Sequence, residues 1–296
     1  MAQEIELKLA LGASGPHALR QHPRLANHRM QRAWLANTYY DTPGRALERA
    51  RIALRIRRTP DGYLQTLKTA GSGQGGLHAR GEWEWPIDGD ELDIDGIRQH
   101  APDTIDEADL AQLAPRFTTD FTRERWDVIE ADATIEVALD IGTIHAGERQ
   151  VAIRELELEL KAGSADALWK LAASLADGVA LRPANASKAQ RGAALHDGWT
   201  LPDNAAELRN ATPRQHADQA IAALDALGDS GEAEFLTRAQ HAFWSLAEDT
   251  NLATAVRQPA GWLAETLDGP QWLTPQFGQH SLALLAALDA HCAELD

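Results

Sequence analysis

Short runs in which every second residue is charged, several of them with one sign throughout, constrain this chain more than any other feature. In EIELK, Glu4, Glu6 and Lys8 alternate with Ile5, Leu7 and Leu9, the period of a strand whose two faces differ. The pattern recurs with Arg55 and Arg57 in LRIR, Lys68 at the end of LQTLK, Glu82 and Glu84 in GEWEWP, Arg123 and Arg125 in FTRER, and Glu155, Glu157 and Glu159 in RELELELK. An ordinary half-buried strand turns a mixed polar face to water. Rows of one sign, acidic on some strands and basic on others, predict strands that face one another across a closed sheet with a charged interior.

Eight such segments can be counted: 3 to 11, 34 to 41, 51 to 58, 63 to 69, 79 to 87, 117 to 131, 134 to 143 and 150 to 161. Eight strands are enough to close a barrel around side chains or a small ligand. Closure also removes the sheet edge that a run such as IRELELEL would otherwise expose. Between the strands, 16 to 31 is a weak amphipathic helix at best. Residues 103 to 114 read as a short helix stopped by Pro115, and 165 to 176 as a helix with Leu168, Leu171, Ala172 and Leu175 inward. The segment 182 to 197 places Lys188 and Arg191 three residues apart, close to one helical face.

Composition changes near Gly198, and Pro202 and Pro213 bracket a polar stretch. The expected organisation is a domain over 1–200, a linker over 201–213 and a small helical domain over 214–296. Its helices are read at 215 to 227, 232 to 249, 253 to 267 with a break at Pro259 to Gly261, and 281 to 295. The fold class is therefore α+β: an eight-stranded antiparallel closed barrel with flanking helices, followed by a small all-α bundle.

The formal net charge of -16 argues against nucleic acid or an anionic membrane as partner, although a local basic field can still hold a small anion. Three of the five lysines, Lys8, Lys68 and Lys188, fall in the segments assigned to the charged interior. Cys292 is the only cysteine, so no intramolecular disulfide can form. No apolar run approaches the ~20 residues that span a bilayer, and MAQEIELK has no signal-peptide pattern. A soluble cytoplasmic protein is expected.

Inward carboxylates two residues apart on a strand are separated by about 6.6 Å at the backbone, close enough to share a hydrated cation. Glu4, Glu6, Glu155, Glu157 and Glu159, with Asp140 from VALDIG, supply oxygen ligands of the kind magnesium or manganese prefers, and no Cys/His cluster in this part of the chain suggests zinc. The arginine rows have the complementary use, because guanidinium forks bind phosphoryl oxygens bidentately while lysine supplies a compact charge. Any single pair of like charges could be a solvated strand face. The repetition argues otherwise, since opposed like-sign rows are costly without a ligand or metal. GSGQGG at 71–76 lacks the Lys-Ser/Thr that would complete a phosphate-binding loop and reads as a hairpin connection.

Taken in order, EIELK, LRIR, LQTLK, GEWEWP, FTRER, VALDIG, RELELELK and the late SKAQRG resemble the CYTH family, the triphosphate tunnel metalloenzymes, over about residues 1 to 197. The resemblance implies an eight-stranded antiparallel tunnel that binds a triphosphate chain and divalent metal. Residue by residue, it implies catalytic roles for Glu4, Glu6, Lys8 and Glu157. It implies substrate contacts from Lys8, Arg55, Arg57, Lys68, Arg123, Arg125 and Lys188. Metal ligands would come from Glu4, Glu6, Asp140, Glu155, Glu157 and Glu159, and further acidic tunnel positions are Glu82, Glu84 and Glu136. Lys188 resembles a late lysine whose helix plugs or lines one side of the tunnel. The C-terminal part sits where bacterial relatives carry a helical CHAD module, but FLTRAQHAFWSLAE departs from its arginine-rich helix, so this part is a truncated or divergent relative or an unrelated bundle.

The reading that follows is magnesium- or manganese-dependent hydrolysis of inorganic triphosphate. Class IV adenylate cyclase chemistry on ATP and non-catalytic binding of polyphosphate or a nucleotide are the alternatives. Trp244, Trp262 and Trp272 offer an apolar helical surface for a homodimer, and intrachain packing accounts for them equally well.

Overall fold

A computed structural model describes residues 2–69, 72–100, 105–201, 211–269 and 271–293. Eight strands are paired antiparallel in a circuit: β1 (Ala2–Leu11), β9 (Arg149–Ala162), β8 (Ala133–Ala146), β7 (Ala114–Glu130), β2 (Gln31–Asp41), β3 (Ala53–Thr59), β4 (Gly62–Lys68) and β6 (Leu77–Ile87). The pairing of β1 with β6, from Ala2 opposite Glu82 to Leu7 opposite Leu77, joins the first and last members. Two short strands lie outside the circuit: β5 (Ser72–Gln74) on β6, and β10 (Leu181–Pro183) on the far half of β1.

All eight expected strand segments are members of this circuit. Strand β7 begins at Ala114, so Pro115 lies in a strand opposite Tyr40 rather than ending a helix. The helix expected over 103 to 114 is instead the short α5 (Glu107–Leu110), preceded by α4 (Ile94–His100); residues 101–104 lie outside the described residues. The 16–31 region holds two short helices, α1 (Gly15–Arg20) and α2 (Pro23–Ala26), and α3 (Ala46–Arg49) follows β2.

Period-two alternation sorts the side chains of each strand. Leu7, Leu9, Leu156, Leu158, Ile135, Val137, Leu139, Trp126 and Val128 face outward into a core closed by Leu168, Leu171, Ala172 and Leu175 of α6 (Asp166–Ala176). A second outer core, with Leu54, Leu67 and Ile97 buried and Trp83 and Trp85 partly so, covers the β3–β4–β6 side under α4. The opposite parity points inside. One end of the interior is apolar, where Leu35, Tyr39, Phe117, Phe121, Ile144 and Ile153 pack with Ala193 of α7 (Lys188–Asp197). A Cβ on Gly192 would lie 2.2 Å from the Phe117 ring, so the helix reaches this close only with glycine there.

Among the described residues four helices follow: α8 (Pro213–Ser230), α9 (Ala233–Glu248), α10 (Thr254–Thr266) and α11 (Pro275–Ala293). Helix α10 runs on through the buried Pro259 without the expected break. Proline forfeits one N–H and strains the preceding turn, and the burial of Val256, Ala260, Leu263 and Ala264 outweighs that cost. Most of the expected linker, 202–210, lies outside the described residues, whereas Thr212 caps α8 with Gln215 in a capping box.

The helices dock on the barrel through polar contacts as well as apolar ones. Arg182 of β10 pairs with Asp225 of α8 at 2.6 Å, both nearly buried, and also donates to the carbonyl of Leu224. Asp218 accepts the N–H of Gly75 at 2.8 Å, and Asn185 accepts that of Gly76. Gly76 sits at φ +89°, where a Cβ would lie 2.8 Å from the Lys8 carbonyl. The GSGQGG connection is thus pressed against β1 where its partner changes from β6 to β10; Gly71 lies outside the described residues.

Candidate active site

The acidic side of the interior comes from β8 and β9, which pair Asp140 with Glu155 and Ala138 with Glu157. Carboxylate oxygens of Asp140, Glu155 and Glu157 lie within 4.8 Å of one another. The ammonium of Lys188, at the first turn of α7, touches all three: 2.7 Å to Asp140, 2.5 Å to Glu155 and 3.1 Å to Glu157. It also lies 5.1 Å from the centre of the Phe121 ring. Arg123, opposite Asp140 on β7, forks onto Asp140 with two 2.7 Å bonds and reaches Glu157 at 2.5 Å.

These charges hold one another in place. Burial pushes the Glu155 carboxyl up to about 7 despite the opposing pull of Lys188 and Lys8. Burial alone would raise Glu157 too, but Lys188, Arg123 and Lys8 outweigh it and hold that carboxyl well below the usual range. The two carboxyls therefore titrate as a pair. Burial opposes the charge of Lys188 as well, yet Asp140, Glu155 and Glu157 raise its pKa far above that of a free lysine.

The basic side comes from β3, and here compensation is incomplete at Arg57, whereas Tyr39, Glu82 and Glu84 outweigh the burial of Arg55 and raise its pKa. Burial, with the neighbouring charges of Arg55 and Arg123, lowers the Arg57 guanidinium to about 10. Its Nε donates to a neutral group, Asn37 Oδ1 at 2.9 Å, while Asn37 is tied in turn to Thr119. Arg55 is held by Glu82 at 3.9 Å and Tyr39 at 3.5 Å, and its Nε is buried with no hydrogen-bond partner among the described residues. Tyr39 stacks on Phe117 with ring centres 4.7 Å apart. Burial would raise its phenol, but Arg55, Lys188 and Arg57 outweigh that and lower it.

The remaining expected residues spread along the tunnel. Glu6 and Lys8 are buried and paired at 3.4 Å. The side chain of Glu4 lies outside the described residues; its backbone pairs with Arg80. Lys68 pairs with Glu82 at 3.0 Å, and Glu84 accepts from the fully buried Thr66. Glu159 pairs with Lys161 at 2.6 Å, and Glu136 with Arg125 at 3.2 Å. Arg125 is 43% exposed and also donates to Gln31, at the start of β2. Of the six carboxylates expected to share a cation, three converge among the described residues. Asn37 and Thr66 were not expected here. The signal was available, since Asn37 shares the parity of Tyr39 and Thr66 that of Lys68.

The donor set of the convergent triad is all oxygen, the chemistry that suits a hard divalent cation. Among the described residues no helix is long and apolar enough to cross a membrane. An inorganic triphosphatase of Haemophilus influenzae is 35% identical over 226 residues, 75% of this chain and 63% of its own length, so the chain spans less than two thirds of this curated relative. A Hippeastrum protein, an adenylyl cyclase candidate with a dominant triphosphatase activity, aligns at TM-score 0.48 and 19% identity over 67% of this chain and 98% of its own. The crystal structure of another inorganic triphosphatase aligns at TM-score 0.25 and 20% identity, covering 57% of this chain and 80% of that one. The CYTH domain model matches residues 2–193, which takes in the whole barrel and most of α7; the chain belongs to the CYTH domain family.

Proposed function

We propose that the chain hydrolyses inorganic triphosphate to pyrophosphate and phosphate with the help of magnesium or manganese. The observation that carries this reading is a β3 row in which Arg57 is poorly compensated and Arg55 keeps a buried Nε without a hydrogen bond among the described residues, in the same interior as the Asp140, Glu155 and Glu157 triad. A phosphate chain supplies what that row lacks: acceptors for the orphaned Nε of Arg55 and negative charge beside Arg57. Lys8 and Lys68 extend the cationic surface along the tunnel. Asp140, Glu155 and Glu157 would hold the cation, which when bound supplies charge neutralisation of phosphoryl oxygens and a more acidic water.

Arg55 and Arg57 fix the chain, so the terminal phosphorus is presented in one orientation and the entropy of alignment is met on binding. Glu157, held ionised, accepts a hydrogen bond from the attacking water and orients it. Water oxygen bonds to the terminal phosphorus, the bridging P–O bond breaks, its electron pair leaves with pyrophosphate, and the proton lost by the water passes to the departing pyrophosphate or to solvent. Arg123 and Lys188 keep the buried acidic group from self-repulsion. No covalent nucleophile is needed. The curated relative's name, inorganic triphosphatase, supports the substrate assignment.

The test is phosphate release from triphosphate by the full chain with magnesium, with manganese and with chelator. Release that needs either metal is expected; no release with both, or release indifferent to chelator, would sink the reading. ATP in the same assay separates the chemistries, because cyclic AMP plus pyrophosphate indicates a cyclase and ADP plus phosphate a broad triphosphatase. Tight triphosphate binding without turnover indicates a binding protein.

A further inference from the structure

Asp225 and Asp229 lie four residues apart on α8, and both reach the segment that carries Lys188. One oxygen of Asp225 accepts the backbone N–H groups of Asn185 and Ala186, each at 2.8 Å, directly before the Ser187 cap of α7. Asp229 accepts two bonds from Arg191, 2.9 Å from Nε and 2.7 Å from one terminal nitrogen, which also donates to the Ala152 carbonyl of β9. Lys188 thus lies between two anchors contributed by the C-terminal helices.

The second anchor has an electrostatic consequence. The other terminal nitrogen of Arg191 is 4.0 Å from Glu155, the residue that Lys188 holds at 2.5 Å. The Arg191 side chain is 13% exposed and that of Asp229 7%, so neither charge is well solvated. A buried guanidinium that loses its carboxylate seeks another, because an unpaired buried charge costs more than a pair returns. Among the described residues Glu155 is the other carboxylate within ion-pair distance of Arg191.

We propose that Asp229, with Asp225, is a positioning residue for the tunnel: it keeps Arg191 at 4.0 Å from Glu155 instead of in direct contact, leaving that carboxylate chiefly to Lys188 and to a divalent cation. The C-terminal helices are then part of the machinery of the site rather than an appended module. The consequence for cation binding rests on the function proposed above; the geometry of the latch does not.

Asp229→Ala, Arg191→Ala and the double variant, each in the full chain, test it by two readouts. The crystal structure of Asp229→Ala reads the latch without metal or turnover, and Arg191 is expected within about 3 Å of a Glu155 oxygen. Manganese binding followed by electron paramagnetic resonance reads the consequence. Affinity is expected to fall about tenfold in Asp229→Ala, and to return to within about threefold of the parent in the double variant, because the competing cation is gone. A merely structural tether predicts the reverse, a double variant no better than the single one. Arg191 left in place or turned to solvent, or absence of rescue, overturns the proposal. If the parent binds no manganese, the function proposed above fails instead, and the Asp229→Ala structure still decides the latch. Should Asp229→Ala not fold, Asp229→Asn, which keeps an acceptor but removes the charge, takes its place in both measurements.

Discussion

The two sides of the tunnel solve the burial of charge differently. On the β7–β8–β9 side, Asp140, Glu155 and Glu157 are met by Lys188 and Arg123 at 2.5–3.1 Å, so the acids and bases stabilise one another without a ligand. On the β3 side, Arg57 faces Asn37 and the like charges of Arg55 and Arg123, and its pKa is lowered first by burial and then by that repulsion. The first side is built as an ion-pair cluster whose removal damages the fold. The second is cationic surface held in readiness, whose cost is recovered when an anion arrives.

Asp140→Ala breaks this contrast most severely. Its side chain is fully buried and serves both Arg123 and Lys188, so its loss leaves two cations short of a partner. A loss of about 3 kcal/mol is expected in denaturant unfolding, together with loss of turnover. A midpoint unchanged from the parent would show that Glu155 and Glu157 alone neutralise the cluster. Glu157→Ala comes next. Turnover should fall about a hundredfold with a smaller change in KM, and the metal titration should shift to higher concentration; parent kinetics and parent metal affinity would remove Glu157 from the reacting centre.

Arg57→Ala sharpens the contrast from the other side. KM for triphosphate should rise about 10- to 100-fold, the worth of a charge-assisted hydrogen bond. The melting temperature without ligand should stay level or rise, since a poorly compensated buried cation has gone. A stability loss as large as that of Asp140→Ala would show that both sides are ion-pair clusters after all. The smallest effect belongs to Arg125→Ala. That side chain is half-exposed and engaged with Gln31 and Glu136, so kcat/KM should change less than about threefold; a change as large as that of Arg57→Ala would extend the substrate-binding row to it.

Much of this was legible because a strand's period is two. Parity alone places Asp140, Glu155 and Glu157 on one face, and Arg55 and Arg57 on another strand's equivalent face, before any fold is known. Parity does not say how far along the tunnel each residue lies. Glu136, four residues from Asp140 and so roughly 13 Å away along the strand, shares the face yet belongs with Arg125 and Lys161. Glu159 goes to Lys161 for the same reason, at the far end of the row that includes Glu157. The short elements α4 and β10 were hidden because they carry too few residues to show a period; contacts with the barrel stabilise them.

By itself the sequence determined the number and alternation of the long strands, the sign of charge on each, and the presence of a helical C-terminal region, since these depend on local periodicity and side-chain chemistry. Tertiary structure decided the register that brings Asp140 opposite Glu155, the seating of Lys188 among three carboxylates, and the contact of α8 with the segment leading into α7. Such pairings join residues far apart in the chain. Their free energy depends on burial and on neighbouring charge, and neither is defined until the sheet has closed.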